Sequence, residues 1–397
     1  MEALAVTGYG IASPLGVGKA AFEKALAKGD AGRFFRTDGP ISGEQTIKDA
    51  CVAWLASFEA KDYLGNKGLR NLDRLTKLLV VAAKYALEDA KIKSDGKFIA
   101  LSPEQVGLCS STAYGSLEAI TELKLVAELE DPRYLNPARF PNTVINAAAG
   151  YVSIWEDLQA PNVTLVNGNC GALDAVLSAG THLEHLRGDA FLIGGGEAIS
   201  EALYLAFDKL GAVAHATQKF APGDPQSEGM RIGEGAAYLC VERQNDAKAR
   251  QATIEANITG YGSAFEVPRS EVEIVHGSSL AVKRAISGAM IDAGVGPSDI
   301  DLVCSSLSGI PLMDNAELSA IDELFGSSTS VVAPKALWGE TLGASGALGL
   351  AATVAWLGGV PLCAVLRQGS SSKMKRAVVT TMGYYGNVSA VVMEGVK

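Results

Sequence analysis

No stretch of this chain approaches the roughly 18 uninterrupted apolar residues that a bilayer-spanning helix needs, so no membrane partner is expected. Long basic runs are missing too, and the formal net charge is −10. That balance argues against nucleic acid as a partner, because such proteins carry a basic footprint for the phosphates. Any acidic partner would need a local basic patch. The six cysteines, at 51, 109, 170, 240, 304 and 363, include no C-x-x-C pair, and the four histidines (182, 185, 215, 276) have no ligand spacing. Structural zinc and a disulfide framework are both poor readings, and six reduced thiols fit a reducing compartment. The opening MEALAVTGYG shows no basic or apolar leader, so a cytoplasmic location is expected.

What is present points to a large packed body. Hydrophobic residues make up 48% and charged residues 20% of the 397 positions, enough for a sizeable core. A short repeat stands out: AVTGYGIAS at 5–13 recurs as NITGYGSAF at 257–265. After each copy come an amphipathic helix pattern, an apolar strand, a Gly-rich turn, an Ala/Leu-rich helix and a hairpin-like pair. Strands alternating with helices and ending in an antiparallel pair predict an α/β fold of two duplicated mixed five-stranded sheets in an α-β-α-β-α layering. The halves fall at 1–250 and 251–397, the first enlarged by insertions near 30–65 and 115–145, and no flexible linker separates them. Pseudo-twofold packing as one body follows. GGGEA at 194–198 and GYGIASPLGVG at 8–18 lack the register of a dinucleotide fingerprint, so no nucleotide cofactor is expected.

One turn carries candidate chemistry. VNGNCGALDAV at 166–176 places Cys170 between a buried strand and a helix. Helix-start N–H groups favour a thiolate there, so the thiol reads as a nucleophile, although a buried cysteine in such a turn also packs.

With VTGYGIASPLGVG, LRNLDRLTKLLVVAAKYALEDAKI, FPNTVINAAAGYVSI, GDAFLIGGGEA and EGMRIGEGAAYLCVE in one order, the chain resembles the β-ketoacyl-acyl-carrier-protein synthases, condensing enzymes of the thiolase fold. The resemblance covers nearly the whole chain. It implies that Cys170 takes an acyl chain as a thioester, that acyl carrier protein is a partner, and that no cofactor or metal is used. It also implies two histidines that assist decarboxylation of a malonyl thioester. Neither is here. The first falls in LSGIPLMD (307–314), with Leu307 at its position and Asp314 and Glu317 matching acidic positions downstream. The second falls in KALWGETLGASGA (335–347), with Lys335 kept and Glu340 in its place. GYYG at 383–386 puts Tyr384, with Tyr385 beside it, where the family has its gate phenylalanine; Trp338 adds bulk near the same entrance. Arg70 and Arg74, with Lys61, Lys67 and Lys77, could form a docking patch for the carrier protein, or a solvated helix face.

Leucine donates no hydrogen bond to a developing enolate, and a carboxylate only accepts and repels it. Ordinary malonyl condensation by this chain alone is therefore not expected. Three readings follow. The first is a chain-length-factor-like subunit pairing with a catalytic ketosynthase, although chain-length factors usually replace the cysteine that is kept here. The mostly apolar FPNTVINAAAGYVSIW suits that buried contact, and a homodimer is the other assembly. The second is an acyltransferase, thioesterase or non-decarboxylative condensing enzyme using Cys170, with Glu340 as general base; alternatively Glu340 simply pairs with Lys335. The third is a non-catalytic acyl-binding protein.

Overall fold

A strand covered on both faces needs apolar or small residues throughout, and β1 (Leu4–Ser13) is buried along its whole length. The computed structural model describes residues 2–30, 32–39, 41, 47, 49–270, 272, 275–371 and 373–396. In its first half β1 is joined by β2 (Val106–Ser111), β3 (Asn162–Leu165), β4 (Ala190–Glu197) and β5 (Gly235–Arg243). The second half holds β6 (Ala256–Phe265), β7 (Leu302–Cys304), β8 (Ser330–Val332), β9 (Val365–Arg367), β10 (Arg376–Met382) and β11 (Asn387–Gly395). The order across the first half is β3-β2-β4-β5-β1, and across the second β9-β8-β7-β10-β11-β6. In each half two parallel pairings are followed by two antiparallel ones. The fold is mixed α/β as expected, with two refinements. The second half gains the edge strand β9. The two sheets are also not separate: Leu4–Val6 pairs with Ala256–Ile258 and makes one continuous sheet, because both copies of the first strand lie at facing edges.

Helices supply the other layers. On the outer face of the first half lie α1 (Arg74–Asp89) and α2 (Ala147–Glu156). Between the halves lie α3 (Gly171–Glu184) and α6 (Ser345–Leu357). On the outer face of the second lie α4 (Ser279–Ala293) and α5 (Pro311–Phe325). A helix apolar on every side belongs in an interior, and α6 is buried at every position. Among the described residues no helix is long and apolar enough to cross a membrane.

The Thr-Gly-Tyr-Gly repeat has a physical cause. A Cβ on Gly10 would sit 2.2 Å from the Ala82 carbonyl oxygen of α1, and one on Gly262 would sit 2.3 Å from the Ala285 carbonyl oxygen of α4. Each strand also bulges at the preceding threonine. The following tyrosine N–H then donates to an aspartate at the end of the same helix: Tyr9 to Asp89 at 3.0 Å, Tyr261 to Asp292 at 2.9 Å. One packing solution is thus used twice. Gly10→Ala and Gly262→Ala should each destabilise by about 1–3 kcal/mol or more, since helix backbone cannot step aside. Gly150→Ala is the control, with open space in α2, and should be neutral or stabilising. Denaturant midpoints of the three variants check this.

Candidate active site

The chain leaves β3 at Leu165 and enters α3 at Gly171, and the intervening turn carries Cys170 at the carboxyl end of a parallel strand, where α/β sheets place their sites. Gly168 has a φ of +54°, which a side chain would disfavour. A Cβ on Gly171 would meet the Ser111 hydroxyl at 2.3 Å. These two glycines let the turn fold tightly against β2.

Cys170 is fully buried. Its thiol faces two backbone carbonyls, donating to Thr381 at 3.5 Å and to Asn387 at 3.6 Å. Burial, with a smaller contribution from the Asp174 carboxylate, pushes it up to about 12. The expected lowering by the helix start is reversed: the desolvation of a sealed thiolate outweighs the helix terminus.

The two positions at which the resemblance expects histidines are closed as well. Leu307 is fully buried and sits in a loop held by the two acidic residues below it. Asp314 accepts the N–H groups of Ser308, Gly309 and Gly223 at 2.7–2.9 Å, and burial raises it to about 6. Glu317 accepts the N–H and hydroxyl of Ser306 at 2.9 and 2.7 Å, and the Thr380 hydroxyl. Both are backbone clamps. Glu340 is buried and salt-bridged to Lys335, Nζ to Oε2, at 2.7 Å. Its other oxygen accepts the Leu342 N–H at 2.9 Å. Asn169, next to the thiol, donates to Glu340 at 3.3 Å and to the Met382 carbonyl at 3.1 Å. Asn169 therefore links the turn that carries Cys170 to the carboxylate.

An open pocket of about 360 Å³ lies outside this set. Tyr114, Asn167, Asn169, Phe265, Leu342, Tyr384, Tyr385 and Asn387 line it, but Cys170, Leu307 and Glu340 do not. Tyr384 is wedged into the wall, its hydroxyl 3.2 Å from the Met230 sulfur and its ring 5.5 Å from Phe207. Tyr385 is exposed beside it.

Two expected positions are corrected. Trp338 is not at an entrance: the short helix Lys335–Trp338 turns it into the inner layer, where its ring lies 6.1 Å from Phe22. Arg74 is not a free docking cation. It holds the fully buried Glu234 with two nitrogens, donates to the Leu55 carbonyl at 2.9 Å and lies over Trp54 and Phe58. Arg70 is exposed.

Sequence reasoning passed over Asn169 and Glu197. GGGEA, weighed as a nucleotide turn, is the buried end of β4. Glu197 accepts from Ala113, Tyr114, Gly343 and Thr112, and burial pushes it up to about 7. It thereby ties two walls of the pocket together. An acidic residue ending an apolar strand was the available signal. Among the described residues no cluster of three His, Cys, Asp or Glu could hold a metal ion.

Comparison with known proteins gives the same frame. The β-ketoacyl synthase N-terminal domain family matches residues 1–247 and the C-terminal domain family residues 256–359. A 3-oxoacyl-[acyl-carrier-protein] synthase 2 from Coxiella burnetii is 29% identical over 359 residues, covering 86% of this chain and 83% of that protein. The ishigamide ketosynthase/chain length factor superposes with a TM-score of 0.86 at 21% identity, over 100% of both chains. A type II polyketide synthase acyl-carrier protein in complex with its ketosynthase superposes at 0.84, also at 21% identity over 100% of both chains. With two family models spanning most of its length and a duplicated α/β body, this chain belongs to the β-ketoacyl synthase family.

Proposed function

We propose that this chain is a chain-length-factor-like subunit, which pairs with a histidine-bearing ketosynthase and acts on carrier-bound acyl chains without condensing them alone. The carrying observation is Glu340, locked by Lys335 where a hydrogen-bond donor is required. Leu307 adds no donor, and the thiol is sealed. In this reading Tyr384 and Tyr385 shape the pocket, Asp314 and Glu317 hold its loops, and the exposed Arg70, Lys61 and Lys67 are left to meet an acidic carrier protein.

A surface for the partner supports the reading. Among the described residues β3 ends the sheet and no strand pairs with its outer edge, which a second chain of the same fold can extend. Flanking segments expose Phe140, Val144, Ile145, Ile154, Val166 and Leu177. These surround the edge because α2 and α3 both pack on β3. Large exposed apolar patches mark interaction sites. Co-expression with a histidine-bearing ketosynthase, followed by affinity capture and acyl-carrier-protein loading, tests it. A one-to-one heterodimer is expected, with acyl adduct on the partner only. A homodimer forming a Cys170 adduct that turns over with an added nucleophile would point to acyl transfer instead.

A further inference from the structure

We infer that Asp174 is an electrostatic brake on Cys170: a carboxylate anchored one helical turn from the thiol that helps to keep the sulfur protonated, so that acyl thioesters are not captured. The inference rests on the non-condensing reading of the site and explains how a retained cysteine stays silent in it. Asp174 lies one turn along α3 from Cys170, where side chains at i and i+4 share a face. It is held from three directions. Asn167 donates to Oδ2 at 2.6 Å, and Tyr261 and Ser389 donate to Oδ1 at 2.8 and 2.5 Å. Tyr261 and Ser389 come from β6 and β11 of the other half, so both halves fix the charge in place.

The sulfur's neighbours pull both ways, and burial together with the Asp174 carboxylate outweighs the hydrogen bonds that favour the thiolate. Thr381 and Asn387 present carbonyl oxygens. Ser389 also lies against the thiol, where its hydroxyl favours the thiolate, but it donates to Asp174 and ties the carboxylate to the sulfur's surroundings. The Gly383 N–H is the donor on that side. Lys335, the cation of this network, is taken by Glu340, which reaches the turn through Asn169. Tyr384 faces Met230, Asn169 and Glu340. A thiol among acceptors and beside a carboxylate donates its proton and resists losing it.

The test is Cys170 alkylation by iodoacetamide, followed by peptide mass spectrometry from pH 7 to 10 on the full chain. Asp174→Asn should raise the rate about tenfold at pH 8.5 and move the profile down by about one pH unit, the scale of one nearby partly screened charge. Asp174→Glu, which keeps the charge, should stay close to the parent. Buried Cys109 and Cys304 report loosening: their rates should not change. Tyr261→Phe removes one donor from the carboxylate, and should slow Cys170 about threefold or leave it silent. An Asp174→Asn rate at or below the parent's overturns the brake, and a lower rate would make Asp174 a proton acceptor for the thiol through Ser389. If Asp174→Asn does not fold, a faster Cys170 in Tyr261→Phe overturns the brake by itself. None of these outcomes depends on a condensation assay, so the brake and the non-condensing reading fail separately.

Discussion

Given malonyl- and acyl-carrier-protein thioesters and no partner, the purified chain should release neither carbon dioxide nor 3-oxoacyl product above the uncatalysed rate. Two separate deficits act together. A thiol at about 12 is ionised to only about one part in 10⁵ at pH 7, so the acyl-accepting step starts from almost no nucleophile. The enolate then finds no donor at Leu307 and an anion at Glu340. One lost oxyanion donor costs about 100- to 1,000-fold, so two lost donors amount to roughly 10⁴–10⁶. Glu340→His alone should not rescue activity, because Leu307 still offers nothing and Lys335 loses its counter-charge. Radiolabelled carbon dioxide release and product chromatography, with a histidine-bearing ketosynthase as reference, measure this directly. A rate for the isolated chain within tenfold of the reference would sink the non-condensing reading.

Much of the architecture was legible because its causes are local. Thr-Gly-Tyr-Gly recurs wherever a helix backbone must touch the first strand, and small residues are the sequence trace of that contact. Cys170 could be placed at a strand-to-helix junction for the same reason: Gly168 and Gly171 mark a tight turn. What could not be read is what depends on distant partners. Arg74 looked like one more cation on a basic helix face, but Glu234, 160 positions away, claims it. Trp338 follows Lys335 in a segment assigned to the entrance, yet one helical turn points it inward against Phe22. The helix-start argument for a low thiol was sound locally and lost to burial by β10 and β11, which arrive some 210 residues later. Glu340 was the intermediate case. Its pairing with Lys335 could be foreseen from spacing alone, whereas its tie to Asn169 could not.

Lys335→Met should destabilise the chain by about 3–5 kcal/mol, whereas Lys335→Met combined with Glu340→Gln should recover most of that loss. Both members of the pair are almost wholly removed from solvent, with side-chain exposures of 4% and 1%. Removing the lysine alone leaves an uncompensated carboxylate in the interior, and desolvating an unpaired charge is the dominant cost. Removing both charges takes that cost away. Glutamine at 340 still offers an acceptor to the Leu342 N–H, which would otherwise be orphaned at about 1–3 kcal/mol. Denaturant unfolding of the two single variants and the double variant gives the coupling energy, since contacting sites are not additive. The pocket should respond in the same experiment. Glu340 anchors Leu342 and receives Asn169, and both residues line the cavity. If the pair serves to lock the site, Lys335→Met should speed alkylation of Cys170, and the double variant should bring it back toward the parent rate. A Lys335→Met protein as stable as its parent would mean that the carboxylate finds its compensation elsewhere, and the lock at the histidine position would have to be abandoned.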